Sequence, residues 1–222
     1  RSRRSSSART GCESNVVESG SAAGDRHRGF PPLARPDARI LVLGSMPSNE
    51  SLARQRYYAH PRNAFWPILA RVLDLSAEAY PERAEQAMER GVAIWDVFRD
   101  CVRPGSLDSA IDDKTAVTND FIGFFRDHPQ IVGILFNGAK AESVYLQRVL
   151  PRLGTSAAAI PRQRLPSTSP ANAGMSFERF VIIVSTLART WIPAEWKYFN
   201  PSAVDIMTYL GTIGLVDRKS VV

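Results

Sequence analysis

Three short segments of this 222-residue chain carry small polar residues where a core would need apolar ones: Gly44-Ser45-Met46-Pro47-Ser48, Phe136-Asn137-Gly138 and Leu165-Pro166-Ser167-Thr168-Ser169-Pro170-Ala171-Asn172. A fourth, Tyr57-Tyr58-Ala59-His60-Pro61-Arg62-Asn63-Ala64-Phe65-Trp66, sets an amide among aromatic rings. Asn63 offers both an acceptor and a donor and can position a water without itself ionising. An Asn just before a helical pattern is equally a favoured N-cap, and the two roles can coexist. Other chemistries fit less well. GSMPS is not the G-x-S-x-G elbow, and no His or Asp is placed to complete a triad. No Gly-rich loop ends in Gly-Lys-Ser/Thr, as phosphate cradling would require. Two cysteines, Cys12 and Cys101, cannot supply the four thiolates of an iron–sulfur or all-Cys zinc site, so the expectation is a metal-free protein of a reducing compartment.

The elements that must position these segments follow from apolar periodicity. Ala38–Leu43 (ARILVL) is a short apolar run ended by Gly44, the pattern of a strand buried on both faces of a parallel sheet. Phe65, Trp66, Ile68, Leu69, Val72 and Leu73 fall on a 3.6-residue period, with Pro67 tolerable in the first turn. Helices are predicted over Pro81–Arg90, Thr118–Asp127 and Ala139–Leu153, the first and last closed by Gly91 and Gly154. Strands are predicted over Val92–Phe98, Ile131–Phe136 and Ala158–Ile160. Strands alternating with helices imply right-handed crossovers and an α/β domain, three-layer α/β/α with a short central parallel sheet of about four strands. Such sheets bind ligands beyond the carboxyl ends of their strands, so the loops GSMPS, FNG and LPSTSPAN should converge in one crevice.

Taken in order, the four segments resemble the hypoxanthine-DNA glycosylase branch of the uracil-DNA glycosylase superfamily. The HPxNxFW element is also similar to one in mismatch-specific uracil-DNA glycosylases, and WDVFRDC followed by GSLDSAI is similar to a segment of the deoxyinosine-glycosylase group. The resemblance covers roughly 140 residues, from about Arg39 to about Arg179. It implies a monofunctional DNA glycosylase that hydrolyses the N-glycosidic bond of a deaminated base, hypoxanthine from deoxyinosine, in base excision repair. The alternatives are a uracil- or mismatch-directed glycosylase and a catalytically weak DNA-binding module. Cleaving this bond places positive charge on the sugar and negative charge on the departing base, so the enzyme needs an extruded base, an aimed water and donors to the leaving group. It needs neither metal nor redox cofactor.

The resemblance also assigns residues. Gly44, Ser45, Pro47 and Ser48 form the first catalytic motif, which here lacks the acidic or Asn residue of other members and so shifts the burden onto Asn63. Phe65 resembles the aromatic on which the extruded base stacks, the plain alternative being core packing beside Trp66. Tyr58 shapes or gates the pocket, and His60 donates to substrate or phosphate unless it is merely structural. Asn137 resembles the asparagine that reads the base edge, although an Asn before Gly138 needs no function in a turn. Ser167, Thr168, Ser169 and Asn172 form a stiff loop suited to the phosphates flanking the lesion. Leu165 stands where many members carry a His that acts as an electrophile, which argues against a highly efficient uracil enzyme and is compatible with hypoxanthine. Asp96 is left outside the catalytic set because a strand-end Asp commonly turns the chain, and Arg103 is expected near a phosphate or in solvent.

The formal charge of +6 gives only weak support to DNA binding, because residues 1–36 hold seven arginines against three acids and leave +2 for the rest. Residues 1–37, rich in Arg, Ser, Gly and Pro and without apolar period, read as a disordered tail or as sequence foreign to the domain. Residues 38–179 form the glycosylase-like domain. Residues 180–222 depart from the amphipathic helix expected there and read as an atypical segment from a frameshift or chimeric join. The partner is DNA containing a deaminated base. No membrane span is expected, and the protein is read as a monomer of the bacterial cytosol or nucleoid.

Overall fold

The computed structural model describes residues 26–172. Four parallel strands make the central sheet: β2 (Ile40–Gly44), β3 (Val92–Asp96), β6 (Gly133–Asn137) and β7 (Arg162–Leu165), in the order β3-β2-β6-β7. Central β2 is buried along its whole length, as its unbroken ILVL run requires. The chain passes from β2 to β3 on one side and returns through β6 on the other, so a topological switch point opens at the carboxyl end of β2. The ends there are level: Gly44 lies opposite Asp96, Leu43 opposite Phe136, and Asn137 opposite Leu165. This is the α/β architecture expected of the chain.

Helix α2 (Phe65–Leu73) buries the six apolar residues of its predicted stripe. Helix α3 (Tyr80–Glu89) ends before Gly91, whose φ of 72° lies in the left-handed region. Helix α1 (Asn49–Arg54) follows the first motif, and α4 (Phe121–Asp127) is capped by Asp120, whose carboxylate accepts the Gly123 N–H at 3.1 Å. The helix predicted over 139–153 is one helical stretch of changing pitch: α5 (Ala139–Val144), a wide turn over Tyr145–Val149 and a tight turn over Leu150–Arg152.

Three expectations are corrected. The strand predicted over Val92–Phe98 divides at Val97. Asn119 captures the Asp96 carbonyl with its side chain at 2.8 Å and the Val97 carbonyl with its N–H at 3.0 Å, which bends the chain away. Beyond the bend, β4 (Phe98–Val102) joins a second, antiparallel sheet between β1 (Arg26–Arg28) and β5 (Val117–Thr118). The strand predicted over Ala158–Ile160 is instead the end of a short helix, α6 (Thr155–Ala158). The strand is Arg162–Leu165, whose polar RQRL sequence hid it because it is an edge strand with exposed side chains.

The third correction concerns residues 26–37, read as part of a disordered tail. They belong to the fold: β1 pairs with β4, Leu33 exchanges two backbone hydrogen bonds with Ile94 at the edge of the main sheet, and the Phe30 ring packs edge-on against Tyr57. These contacts are made by backbone groups and isolated rings between prolines, so they leave no apolar period. The rest of that tail and the segment 180–222 lie outside the described residues.

Gly138 joins β6 to α5 at φ 109°, and a Cβ built there would stand 3.3 Å from the Ser167 Cβ. Gly138→Ala is expected to lower stability by about 1–3 kcal/mol through backbone strain and this contact. Urea denaturation checks it, and an unchanged midpoint would show that the junction relaxes freely.

Candidate active site

The level strand ends gather their following loops around one cavity of about 330 Å³, within the range of small-molecule sites. Its walls come from Gly44–Ser48 after β2, Asp96 at the end of β3, Asn137 at the end of β6 and Ser167–Ser169 after β7. Two further stretches complete it: Tyr57, Tyr58 and Asn63 before α2, and Ser106–Ser109 after β4. The three loops expected to converge do so.

Within the first motif, each residue has a definite structural employment. Gly44 has no room for a side chain: a Cβ would collide with Asp96 Oδ1 and stand 3.1 Å from the Tyr58 hydroxyl. Ser45 donates its hydroxyl to Asp108 Oδ1 at 2.5 Å. The Pro47 carbonyl accepts from Arg103 Nη2 at 2.5 Å, and Ser48 is the N-cap of α1, its Oγ accepting the Ser51 N–H at 3.2 Å. Asp108, from the segment Ser106–Ser109, thus places a carboxyl beside the motif.

Asn63 faces the cavity, and its Oδ1 accepts the Phe65 N–H at 3.0 Å from one residue outside the N-cap of α2, Ala64. The N-cap expected at Asn63 falls instead on Ala64, and the Asn63 amide keeps its Nδ2 donors and one acceptor lone pair. Phe65 does not line the cavity. It is buried, and Tyr58 lies over it with ring centroids 3.8 Å apart and planes 17° from parallel. Tyr58 holds a left-handed backbone, φ 53°, an uncommon conformation for an aromatic residue. Tyr58 and Tyr57 are the aromatic residues that line the cavity. His60 also lies outside the cavity lining, and its Nδ1 accepts the Arg62 N–H at 3.1 Å within the turn.

Asn137 lines the cavity, yet its amide is tied twice to Thr168: Oδ1 accepts the Thr168 N–H at 2.8 Å and Nδ2 donates to Oγ1 at 2.9 Å. One N–H and one lone pair remain for a ligand. Thr168, expected at a phosphate, is buried by this clamp, and its carbonyl accepts the Ala64 N–H at 3.1 Å, joining the loop to the start of α2. Ser167 and Ser169 stay half-buried and Asn172 exposed, held by Asn172 Nδ2 to the Ser167 carbonyl at 2.9 Å and by the Ser169 N–H to Ser167 Oγ at 3.2 Å.

Two residues set aside on sequence prove central to the electrostatics. Asp96 is 3% exposed, lines the cavity, and its Oδ2 has no hydrogen-bond partner among the described residues. Burial, reinforced by the nearby Asp108 charge and opposed by Arg103, pushes its carboxyl up to about 8. Arg103 is neither solvated nor at the surface. It is 0% exposed, holds the first motif through Pro47, and burial lowers its affinity for a proton. The Tyr58 hydroxyl is buried, and burial, reinforced by Asp96 and opposed by the Asn137 side chain, raises its pKa. The position of Asp96 at a strand's carboxyl end was the available signal. Nothing in CVRPGS foretold a buried arginine.

Comparison with known proteins agrees with this architecture. The family model of the uracil DNA glycosylase superfamily matches residues 31–188. The chain is 36% identical over 154 residues to a protein of Methanosarcina acetivorans named hypoxanthine DNA glycosylase, covering 68% of this chain and 92% of that one. A Methanosarcina barkeri protein of the same name is 35% identical over 118 residues, covering 52% and 73%. The solution NMR structure of a candidate uracil DNA glycosylase from M. acetivorans superposes with a TM-score of 0.58 at 34% identity, covering 68% of this chain and 90% of that one.

Between about pH 4 and about pH 8 the folded protein holds a proton on Asp96 that the unfolded chain has released. The native state therefore binds more protons, and the contribution of this group to stability falls as pH rises through that window, by at most about 1.4 kcal/mol per pH unit. Asp96→Asn should remove this component. Urea denaturation of both proteins at about pH 5 and about pH 7.5 is expected to show the variant gaining relative stability at the higher pH, and parallel behaviour would place the carboxyl in its ordinary range.

Proposed function

The chain belongs to the uracil DNA glycosylase superfamily, and on that premise we propose that it is a monofunctional DNA glycosylase hydrolysing the N-glycosidic bond of deoxyinosine to release hypoxanthine. The observation that carries the reading is the cavity at the switch point. Its lining joins the aromatic residues Tyr57 and Tyr58, the latter backed by Phe65, to amides, hydroxyls and the carboxyls of Asp96 and Asp108. A base extruded from the helix needs such a slot, with one π-face to stack on and polar groups at its edge. Because Tyr58 covers Phe65, the stacking face passes from Phe65, favoured on sequence, to Tyr58, and Phe65 supports it. Stacking of this kind contributes roughly 1–3 kcal/mol per base.

The remaining groups divide the chemistry. Asn63, oriented by its bond to the start of α2, holds the attacking water through its free acceptor valence and directs it at the sugar carbon. Asp108, fixed by Ser45, supplies negative charge beside the cavity as positive charge develops on the sugar. Asn137 offers its remaining N–H and lone pair to the base edge. Ser167, Ser169 and Asn172, at the outer rim, meet the flanking phosphates, while Thr168 acts through Asn137. His60 acts in the turn rather than on the base. The reaction consumes water alone. On this reading the protein works on cellular DNA as a single chain in the cytosol or nucleoid. Two relatives named hypoxanthine DNA glycosylase favour hypoxanthine as the base, whereas the name of the NMR structure favours uracil.

The test is incubation with labelled duplex and single-stranded oligonucleotides carrying one deoxyinosine, deoxyuridine or deoxyxanthosine, followed by alkaline cleavage of abasic sites. Cleavage at deoxyinosine is expected, with a loss of about 10²–10⁴-fold in Asn63→Ala. Cleavage chiefly at deoxyuridine would make the enzyme uracil-directed, and no abasic sites from folded protein would favour a binding module instead.

A further inference from the structure

Asp96 occupies an unusual position for a carboxyl. It ends β3 and lines the cavity opposite Gly44, whose missing side chain leaves the space its Oδ1 occupies. A buried carboxylate anion requires donors, and Oδ2 has none among the described residues. The groups facing it give little help to an anion. Tyr57 and Tyr58, from the segment before α2, are phenols that burial holds protonated. Asp108, from the segment after β4, adds a like charge. Arg103 is the one cation among the groups acting on it, and its Nη2 is directed to the Pro47 carbonyl and, at 3.4 Å, to Asn49. Asn119 bonds the Asp96 backbone carbonyl and leaves the side chain free.

We propose that Asp96 is the acid of the reaction: its carboxyl faces the base held in the cavity and donates its proton as the base departs. The inference rests on the glycosylase reading. When the C1′–N9 bond breaks, the bonding pair goes to the purine, and the Asp96 O–H proton passes to the purine heteroatom facing it, so the base leaves neutral. Water adds its oxygen to C1′ and releases one proton, and the Asp96 carboxylate recovers a proton from solvent. The cavity thus contains two carboxyl groups with opposite tasks: protonated Asp96 toward the base, and Asp108, accepting the Ser45 hydroxyl, toward the sugar. This arrangement supplies the leaving-group assistance that Leu165, lacking an imidazole, does not provide.

Single-turnover release of hypoxanthine from a deoxyinosine duplex, followed from about pH 5.5 to about pH 9.5, tests the assignment. In the native sequence the rate should fall about tenfold per pH unit above about pH 8, as the acid form is lost. Asp96→Asn, which keeps shape and hydrogen-bonding but has no acidic proton, should be slower by about 10²-fold at neutral pH and should lose the alkaline limb. Its binding to a duplex carrying non-hydrolysable 2′-fluoro-deoxyinosine should stay within about threefold, and Asp96→Ser serves as a second variant should the first not fold. Native rate in either folded variant, or an alkaline limb that survives the substitution, would overturn the assignment while leaving the glycosylase reading intact. Absence of base release by the native protein at every pH would overturn both.

Discussion

The register of the parallel sheet is the constraint on which the site depends. Gly44 against Asp96, Leu43 against Phe136 and Asn137 against Leu165 bring the carboxyl ends of four strands to one level. The loops that follow these strands then open on one edge. A shift of one residue in β3 would turn Asp96 to the other face of the sheet. The absence of a side chain at Gly44 belongs to the same constraint, because a Cβ there would occupy the position of the Asp96 carboxyl.

Around that edge the polar groups fall into two populations. Ser48, Thr168 and the Pro47 carbonyl are engaged in holding loops, through the cap of α1, the clamp with Asn137 and the buried Arg103 guanidinium. Asn63 and Asn137 belong partly to this framework, each keeping some valence for a ligand. The Asp96 Oδ2, by contrast, is buried at the cavity without a partner among the described residues. Unsatisfied buried groups destabilise a fold by roughly 1–3 kcal/mol each. Arg103, through Nε and Nη1, and Tyr145, through its hydroxyl, carry such atoms away from the cavity lining as well.

The second sheet and the segment before β2 explain how a polar cavity sits on a rigid base. Asn119 bends the chain at Val97 and sends β4 out of the main sheet, which carries Arg103 and Asp108 back under and beside the first motif. The proline-rich segment 29–37 covers the free edge of β3 through Leu33 and packs Phe30 on Tyr57, steadying the aromatic group that includes Tyr58 and Phe65.

Much of this was legible in the order of residues. Continuous apolar runs such as ILVL and a six-residue stripe over Phe65–Leu73 report burial directly, because burial on two faces or one face leaves a distinct period. The convergence of three polar loops followed from the alternation of strands and helices alone. The sequence by itself therefore determined the fold class and the convergence of the loops that line the cavity. Only the tertiary structure decided which groups are free to react. Phe65 was covered by Tyr58, Thr168 was drawn inward by Asn137, and Arg103 and Asp96, polar residues that local pattern assigns to turns and solvent, were buried by elements distant in the chain. Hydrogen-bond partners and desolvation are set by neighbours in space, and no local spacing encodes them.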